Sequence, residues 1–197
     1  MSIRLPAAER RTQLLTTALH TFASEGYHDA SMNEIADAAG VTKPVLYQHF
    51  GSKRELYLEV LRDVGGELRE RVRAAAASAP SPHQQVLWGF RAWFGWVGEN
   101  PDGFTVVFGG DVRRDPEFSA ELSKVEGQIA DVIAELIVVE GLTEDRRRLL
   151  AHGIVGLGES TCRRWLARDI ELDADDLAGQ VADLTWAGLR GLRPGSV

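Results

Sequence analysis

Apolar residues recur along this chain at three- and four-residue intervals, and no stretch of useful length alternates with a period of two. Residues 7–24 place Leu15, Ala18, Leu19, Phe22 and Ala23 on one helical stripe, and Gly26 follows as a stop. Ser31 opens a second helix. Glu34 sits three positions on, so the pair reads as a capping box, with Ile35, Ala38 and Ala39 forming the buried side. Gly40 supplies a tight turn, and Thr42 is placed to cap a third, short helix that runs to Phe50. A longer helix follows from about residue 52 to 78 and is ended by the Pro-containing stretch 79–82, the clearest break in the pattern. Beyond it come a Trp-rich helix over 82–98, a break at 99–104, a short apolar segment over 104–108 and a loop over 109–116. Two long helices over 117–139 and 143–168 are separated by Gly141, and a last helix spans 174–192. The pattern predicts an all-α protein of about nine helices, without internal repeats or low-complexity segments.

Composition changes this picture little. The 197 residues suffice for one sizeable domain or two that share a core, and 44% hydrophobic residues is ordinary for a globular chain. The net charge of −7 argues against a broadly basic, nucleic-acid-coating surface. Its distribution softens that point. Residues 1–54 hold six basic residues (Arg4, Arg10, Arg11, Lys43, Lys53 and Arg54) against five acidic ones, a net of +1 that leaves −8 for the remainder. Any nucleic-acid surface is therefore local and lies in the N-terminal part. Cys162 is the sole cysteine, so no intrachain disulfide forms. With no signal-peptide core and no apolar run of membrane-spanning length, the chain reads as soluble, cytoplasmic and free of membrane contact.

The segment GVTKPVLYQHF, residues 40–50, carries the chemistry. On a helical wheel Leu46 and Phe50 face the second helix. Pro44, Val45 and Gln48 face away, flanked by Tyr47 and His49. Pro44 falls in the first turn, where its missing N–H costs nothing. The two short helices and the Gly40 turn have the lengths of a helix-turn-helix, whose second helix enters the major groove. There Val45 can meet a thymine methyl and Gln48 can pair with adenine. Tyr47 and His49 can bond phosphates, and Lys43 and Lys53 can neutralise them. Ser31 and the free N–H groups behind it offer another phosphate site. Spacing alone leaves a second reading open, an ordinary helical hairpin with Tyr, Gln and His on its surface.

The whole string SMNEIADAAGVTKPVLYQHFGSKRELYLEVL closely resembles the DNA-binding signature of the TetR family of bacterial repressors. Ile35, Ala36, Ala39, Gly40, Val41, Thr42, Lys43, Leu46, Tyr47, His49, Phe50, Ser52, Lys53 and Leu56 stand in register. Pro44 departs from the small residue often found there. The resemblance covers about residues 7–60. It implies a DNA-binding domain over 1–54 and a ligand-binding and dimerisation domain over 55–197. It also implies a homodimer that binds a palindromic double-stranded DNA operator and is released by a small hydrophobic effector, with no cofactor. Ligand would favour a dimer whose recognition helices are wrongly spaced for successive major grooves. The alternative from another class is a helical ligand-binding protein or enzyme whose helix-turn-helix is only structural; tight, palindrome-specific DNA binding separates the two.

Trp88, Phe90, Trp93, Phe94 and Trp96 go nearly all round their helix, the mark of a central, buried element. They read either as plain core or as the lining of an aromatic pocket. A TetR-like chain keeps its ligand beneath this helix, so Trp93, Trp96, Phe104 and Phe108 are the expected lining, with Glu159 the expected polar group and Arg91, Arg113 and Ser160 further polar candidates. Gly153, Gly156 and Gly158 interrupt the 143–168 helix and suggest close packing at a subunit interface. The resemblance places a four-helix dimer interface on the last two long helices. Leu149, Leu150, Ile154, Leu157, Leu177, Val181, Leu184 and Leu189 would supply its apolar matter, with Trp165 and Trp186 at the edges. The five histidines show no metal-ligand spacing. Gly158–Cys162 begins like a nucleophile elbow but lacks the closing glycine and the preceding strand. No enzyme chemistry is expected.

Overall fold

The structure, a computed structural model, describes residues 6–110, 112–167 and 172–192. Nine helices and no strand lie among them: α1 (Ala7–Asp29), α2 (Met32–Ala38), α3 (Lys43–His49), α4 (Lys53–Ser78), α5 (Pro82–Glu99), α6 (Pro101–Phe108), α7 (Pro116–Leu136), α8 (Glu144–Leu166) and α9 (Ala174–Arg190). The all-α reading holds, and most ends fall within a few residues of the expected ones. The expected end of α8 at Arg168 lies outside the described residues. Gly26 breaks the helical run with φ 80° as expected, but one further turn continues to Asp29. The expected break at 99–104 instead contains the start of α6, because Pro101 sits in its first turn, where proline is tolerated. α7 ends at Leu136, before the β-branched run Ile137-Val138-Val139.

The chain forms two compact units that cut across the expected boundary at residue 54. The first comprises residues up to Val64 together with Pro101–Leu122, and the second comprises Gly65–Asn100 with the chain from Ser123 onward. α6 belongs to the first unit because it packs on α1. In that unit Leu14, Ala18, Ile35, Leu46, Phe50, Leu56 and Leu61 are buried. Four further rings, Phe22, Tyr27, Tyr57 and Phe118, meet edge to face with centroids 4.7–5.0 Å apart, within the favourable range for such pairs.

In the second unit α5 packs against α9 and α8. Gly65 of α4 lies so close to α7 that a Cβ there would come within 2.3 Å of a Val125 methyl. Only glycine permits that approach.

Candidate DNA-reading helix and effector cavity

α3 is placed by what brackets it. The Ser31 capping box forms as expected: the Ser31 hydroxyl accepts from the Glu34 N–H, and the Glu34 carboxylate accepts from the Ser31 N–H. These bonds to Ser31 hold the Glu34 carboxyl below its usual pKa. At the other end of α2, Gly40 takes φ 65°, its N–H bonds Asp37 O and the Val41 N–H bonds Ala36 O. This is a Schellman cap, and its left-handed residue is the reason for glycine at this position. Gln13 of α1 donates to Ala39 O and steadies the turn.

α3 then exposes one side. Leu46 and Phe50 are 0% and 1% exposed and anchor it, while Tyr47 is 42% exposed. Thr42, Lys43, Pro44 and Gln48 are exposed with it, and Val45 and His49 are half-buried. Gln48 lies opposite the buried stripe. Thr42 occupies the N-cap position, yet its side chain makes no cap hydrogen bond. Of the two N–H groups an N-cap oxygen can reach, Pro44 lacks one, and the other, the Val45 N–H, donates to the Thr42 backbone carbonyl at 2.9 Å. The Lys43 ammonium lies 5.9 Å from the centre of the Tyr47 ring.

Two of the expected phosphate ligands have other occupations. Lys53 donates to the carbonyls of Tyr27, His28 and Ala30 at 2.7, 3.0 and 2.7 Å, and lies over the Tyr27 ring. All three ammonium protons are used, so Lys53 caps the end of α1 instead of reaching outward. Ser31 is engaged with Glu34, whose charge repels a phosphate at that helix start. Neither was legible from the motif, which shows spacing but not the carbonyls folded back beneath it.

The same unit carries an ion-pair network absent from the sequence reading. Arg54 makes a bidentate pair with Asp115, reaches Glu117 at 2.7 Å and covers the Phe118 ring. The Arg54 hydrogen bonds hold the Asp115 carboxyl at about 2. Arg62 joins Glu59 to Glu121, and Arg11 pairs with Glu59.

In the second unit a cavity of about 60 Å³ lies among α4, α5, α7, α8 and α9. Its lining includes Val72, Val86, Phe90, Trp93, Ile133 and Ile154, with the Gln85 amide and the Thr185 hydroxyl as polar groups. Of the aromatic residues expected to line a pocket, Trp93 lines this cavity. Trp96, Phe104, Phe108 and Glu159 do not line it. Phe104 and Phe108 are buried in the first unit, with ring centroids 5.2 Å apart. Trp96 is buried, and its indole N–H has no partner among the described residues. Glu159 is tied to Arg163, one turn on along α8, and Arg91 to Asp175. Arg113 and Ser160 are exposed. The aromatic signal was real, but burial and lining look alike in a sequence.

Behind Trp93 the indole N–H donates to the Cys162 sulfur at 3.2 Å, and burial pushes the Cys162 thiol up to about 12. Gly158 packs against the same indole, where a Cβ would lie 3.2 Å from it. It therefore serves close packing of α8 on α5 within the chain. Gly153 and Gly156 face open space, as does Gly188 of α9. Beside them Leu149 and Leu184 are 73% and 65% exposed. Trp165 turns inward, its N–H donating to Leu172 O. Among the described residues no helix is long and apolar enough to cross a membrane.

Comparison with known proteins points one way. Residues 14–60 match the model of bacterial regulatory proteins of the tetR family, and residues 82–188 match that of the tetracyclin repressor-like C-terminal domain. The chain is 37% identical over 187 residues to the HTH-type transcriptional activator FasR of Mycolicibacterium smegmatis, covering 94% of this chain and 85% of that one. It is 27% identical over 189 residues to the HTH-type transcriptional repressor KstR2 of the same organism, covering 95% and 82%. A solved TetR-like transcriptional regulator from Rhodococcus sp. RHA1 superimposes with a TM-score of 0.77 at 30% identity, over 96% of this chain and 100% of that one.

Proposed function

The chain belongs to the TetR family of transcriptional regulators, and from that premise we propose a homodimer whose two α3 helices read a palindromic operator and whose grip on DNA is set by an apolar effector. The observation that carries the DNA reading is α3 itself: a helix anchored by Leu46 and Phe50 that turns Lys43, Pro44, Tyr47 and Gln48 outward. A seven-residue helix has no stability of its own, so its exposed face is there for contact. Gln48 and Val45 read base edges, while Lys43, Tyr47, Thr42 and His49 meet the backbone.

The effector enters the α5–α9 cavity against Trp93. About 60 Å³ holds roughly two water molecules, whereas sites that enclose a drug-sized ligand run to about 300–1,000 Å³. Effector binding therefore forces the surrounding helices apart, which gives ligand and DNA different preferred conformations and couples them reciprocally. The exposed leucines on α8 and α9 form the self-complementary face that a two-fold dimer needs.

Selection of bound genomic fragments gives the operator. On it, Gln48→Ala should relax preference at one position per half-site. Lys43→Ala should weaken all sequences alike and lower the salt slope by about one. Parental behaviour of both variants would sink the docking. Charged residues at Leu157 and Leu184 should abolish the dimer in ultracentrifugation. The sign of regulation follows from the same operator: effector-released repression is the first reading, and the name of FasR favours activation as the second. Transcription in vitro from the bound promoter, with and without the protein, decides between them.

A further inference from the structure

Most cations of the unit that carries α3 are already occupied. Arg11 pairs with Glu59, Lys53 is used on three carbonyls, Arg54 holds Asp115, and Arg62 bridges Glu59 and Glu121. A DNA-reading surface needs cations that are not neutralised in this way, because phosphate contacts supply its sequence-independent grip. Lys43, at the start of α3, is one. Arg10, near the start of α1, is another, and it lies outside the motif that carries the reading helix.

Two hydrogen bonds in series place Arg10. Its guanidinium donates through Nη1 to Gln13 Oε1 at 2.6 Å, and Gln13 Nε2 donates to Ala39 O at 3.1 Å. Ala39 ends α2 just before the Gly40 turn, and Thr42, three residues on, is the N-cap position of α3. Arg10 is thus tied to one side of the turn that delivers α3, and Lys43 opens α3 on the other side. Gln13 is neutral, so the bond to it leaves the arginine's charge uncompensated. Among the described residues no carboxylate pairs with Arg10. Glu9 is next in the chain, and adjacent positions on a helix do not face each other. The remaining N–H groups of the guanidinium form a planar fork that suits two phosphate oxygens. Arg10 and Gln13 are both half-buried, so the fork is ordered before any ligand arrives.

We infer that Arg10 is a further DNA contact: its guanidinium, positioned by Gln13, binds an operator backbone phosphate beside the first turn of α3. Arg10 and Lys43 then bracket the Gly40 turn with one phosphate contact each and fix how α3 enters the groove. Gln13 is a positioning residue. It bonds the turn and the arginine at once, so α1 and α3 meet the duplex as one body. The contact itself carries no base information. This inference rests on the DNA reading above and extends it to α1.

The test uses the full-length protein and its selected operator, with affinity measured over a range of salt. Arg10→Ala should weaken operator and unrelated duplex alike, by roughly tenfold, as expected for a charge-assisted hydrogen bond. It should lower the salt slope as far as Lys43→Ala does. Arg10→Gln, which keeps a donor for Gln13 but not the charge, should behave in the same way, and Arg10→Lys should hold the parental slope. Arg11→Ala removes the neighbouring arginine, which is already paired, and should leave the slope unmoved. Gln13→Ala frees the guanidinium without removing its charge, so affinity should fall a few-fold at an unchanged slope. Replacing one operator phosphate at a time by an uncharged methylphosphonate locates the contact. At one position per half-site the replacement should weaken the parent and leave Arg10→Ala unaffected. A parental slope in Arg10→Ala and Arg10→Gln, or losses from Arg10→Ala that add to those of every replaced phosphate, would overturn the inference. The Lys43→Ala result separates it from the reading on which it rests. A slope lowered by Lys43→Ala alone would sink the role of Arg10 and keep the docking of α3, whereas a slope lowered by neither would sink both.

Discussion

Both units of this protein are rich in aromatic residues, and they use them in opposite ways. In the unit that carries α3, the rings close on one another. Phe22, Tyr27, Tyr57 and Phe118 fill the space between their helices, and Lys53 and Arg54 lie over the outer rings at 4.7 and 4.6 Å. In the other unit Phe90 stacks on Phe94, and Phe90 and Trp93 border a void against residues of α7, α8 and α9. The difference lies in what stands opposite each ring. A ring facing another ring or a cation makes a rigid support, as a DNA-reading helix requires. A ring facing valine, isoleucine and small residues makes a wall that can move.

Matched truncations should break the comparison most visibly. Phe118→Ala removes a ring that is 1% exposed and meets two tyrosine rings and the Arg54 guanidinium, and should cost about 3–5 kcal/mol, whereas Phe90→Ala, beside a space already open, should cost less than the usual range. Urea unfolding of both variants measures this. Equal losses would mean that the void closes in solution.

A smaller effect separates two lysines. Lys53→Met loses three charge-assisted bonds to carbonyls and should destabilise the chain by about 1–3 kcal/mol while leaving the salt slope of DNA binding at its parental value. Lys43→Ala should do the opposite, lowering the slope with stability intact. A lowered slope in Lys53→Met would return that side chain to the phosphate role read from the motif.

Much of this contrast is hidden in the sequence. The helices were legible because their apolar periods and caps are local: Ser31 with Glu34, Gly40 in its Schellman turn, and Leu46 with Phe50 beneath α3. The family signature placed α3 as well. Contacts between residues distant in the chain were not legible. Arg54 meets Asp115 across 61 positions, and Trp93 meets Cys162 across 69. Phe104 and Phe108 looked as good for a pocket as Trp93 did. Their helix packs on α1, whereas Trp93 faces Gly158 and the open cavity. Hydrophobic period reports that a side is buried, not whether the far side is filled.

Gly158 offers a finer test of the movable wall. Alanine there gains helix propensity, about 1 kcal/mol, and pushes Trp93 by a few tenths of an ångström toward the cavity. Stability should stay level or rise slightly, while affinity for an apolar ligand falls and operator affinity without ligand is unchanged. A loss of stability would show that the indole has no room to yield.

The smallest effect is one of pH, and the two units carry their own reporters. All five tryptophans lie in the second unit and all three tyrosines in the first. Tyrosine and tryptophan signals therefore follow the two separately. In the first unit Arg54 holds Asp115 at about 2, and the carboxyls of Glu59 and Glu34 are also below their usual values, whereas in the second unit Glu70, bonded to Arg73, is depressed. For Glu59 burial is the largest influence and acts upward, but the bonds from Arg11 and Arg62 together outweigh it. The sign follows from linkage. A carboxyl whose folded value is depressed contributes stability that is complete above its unfolded value, near 4, and is lost as pH falls through the folded one. Lowering the pH from 5 to 2 should thus move the tyrosine signal before the tryptophan signal. Asp115→Asn should shrink that separation, since it removes the carboxyl whose titration lies lowest. The change is modest, because Asp115 and Arg54 are partly solvated and such pairs are screened. Added salt should reduce it further. Coincident acid transitions for both signals, in the parent and in Asp115→Asn alike, would mean that the network does not distinguish the rigid unit from the yielding one.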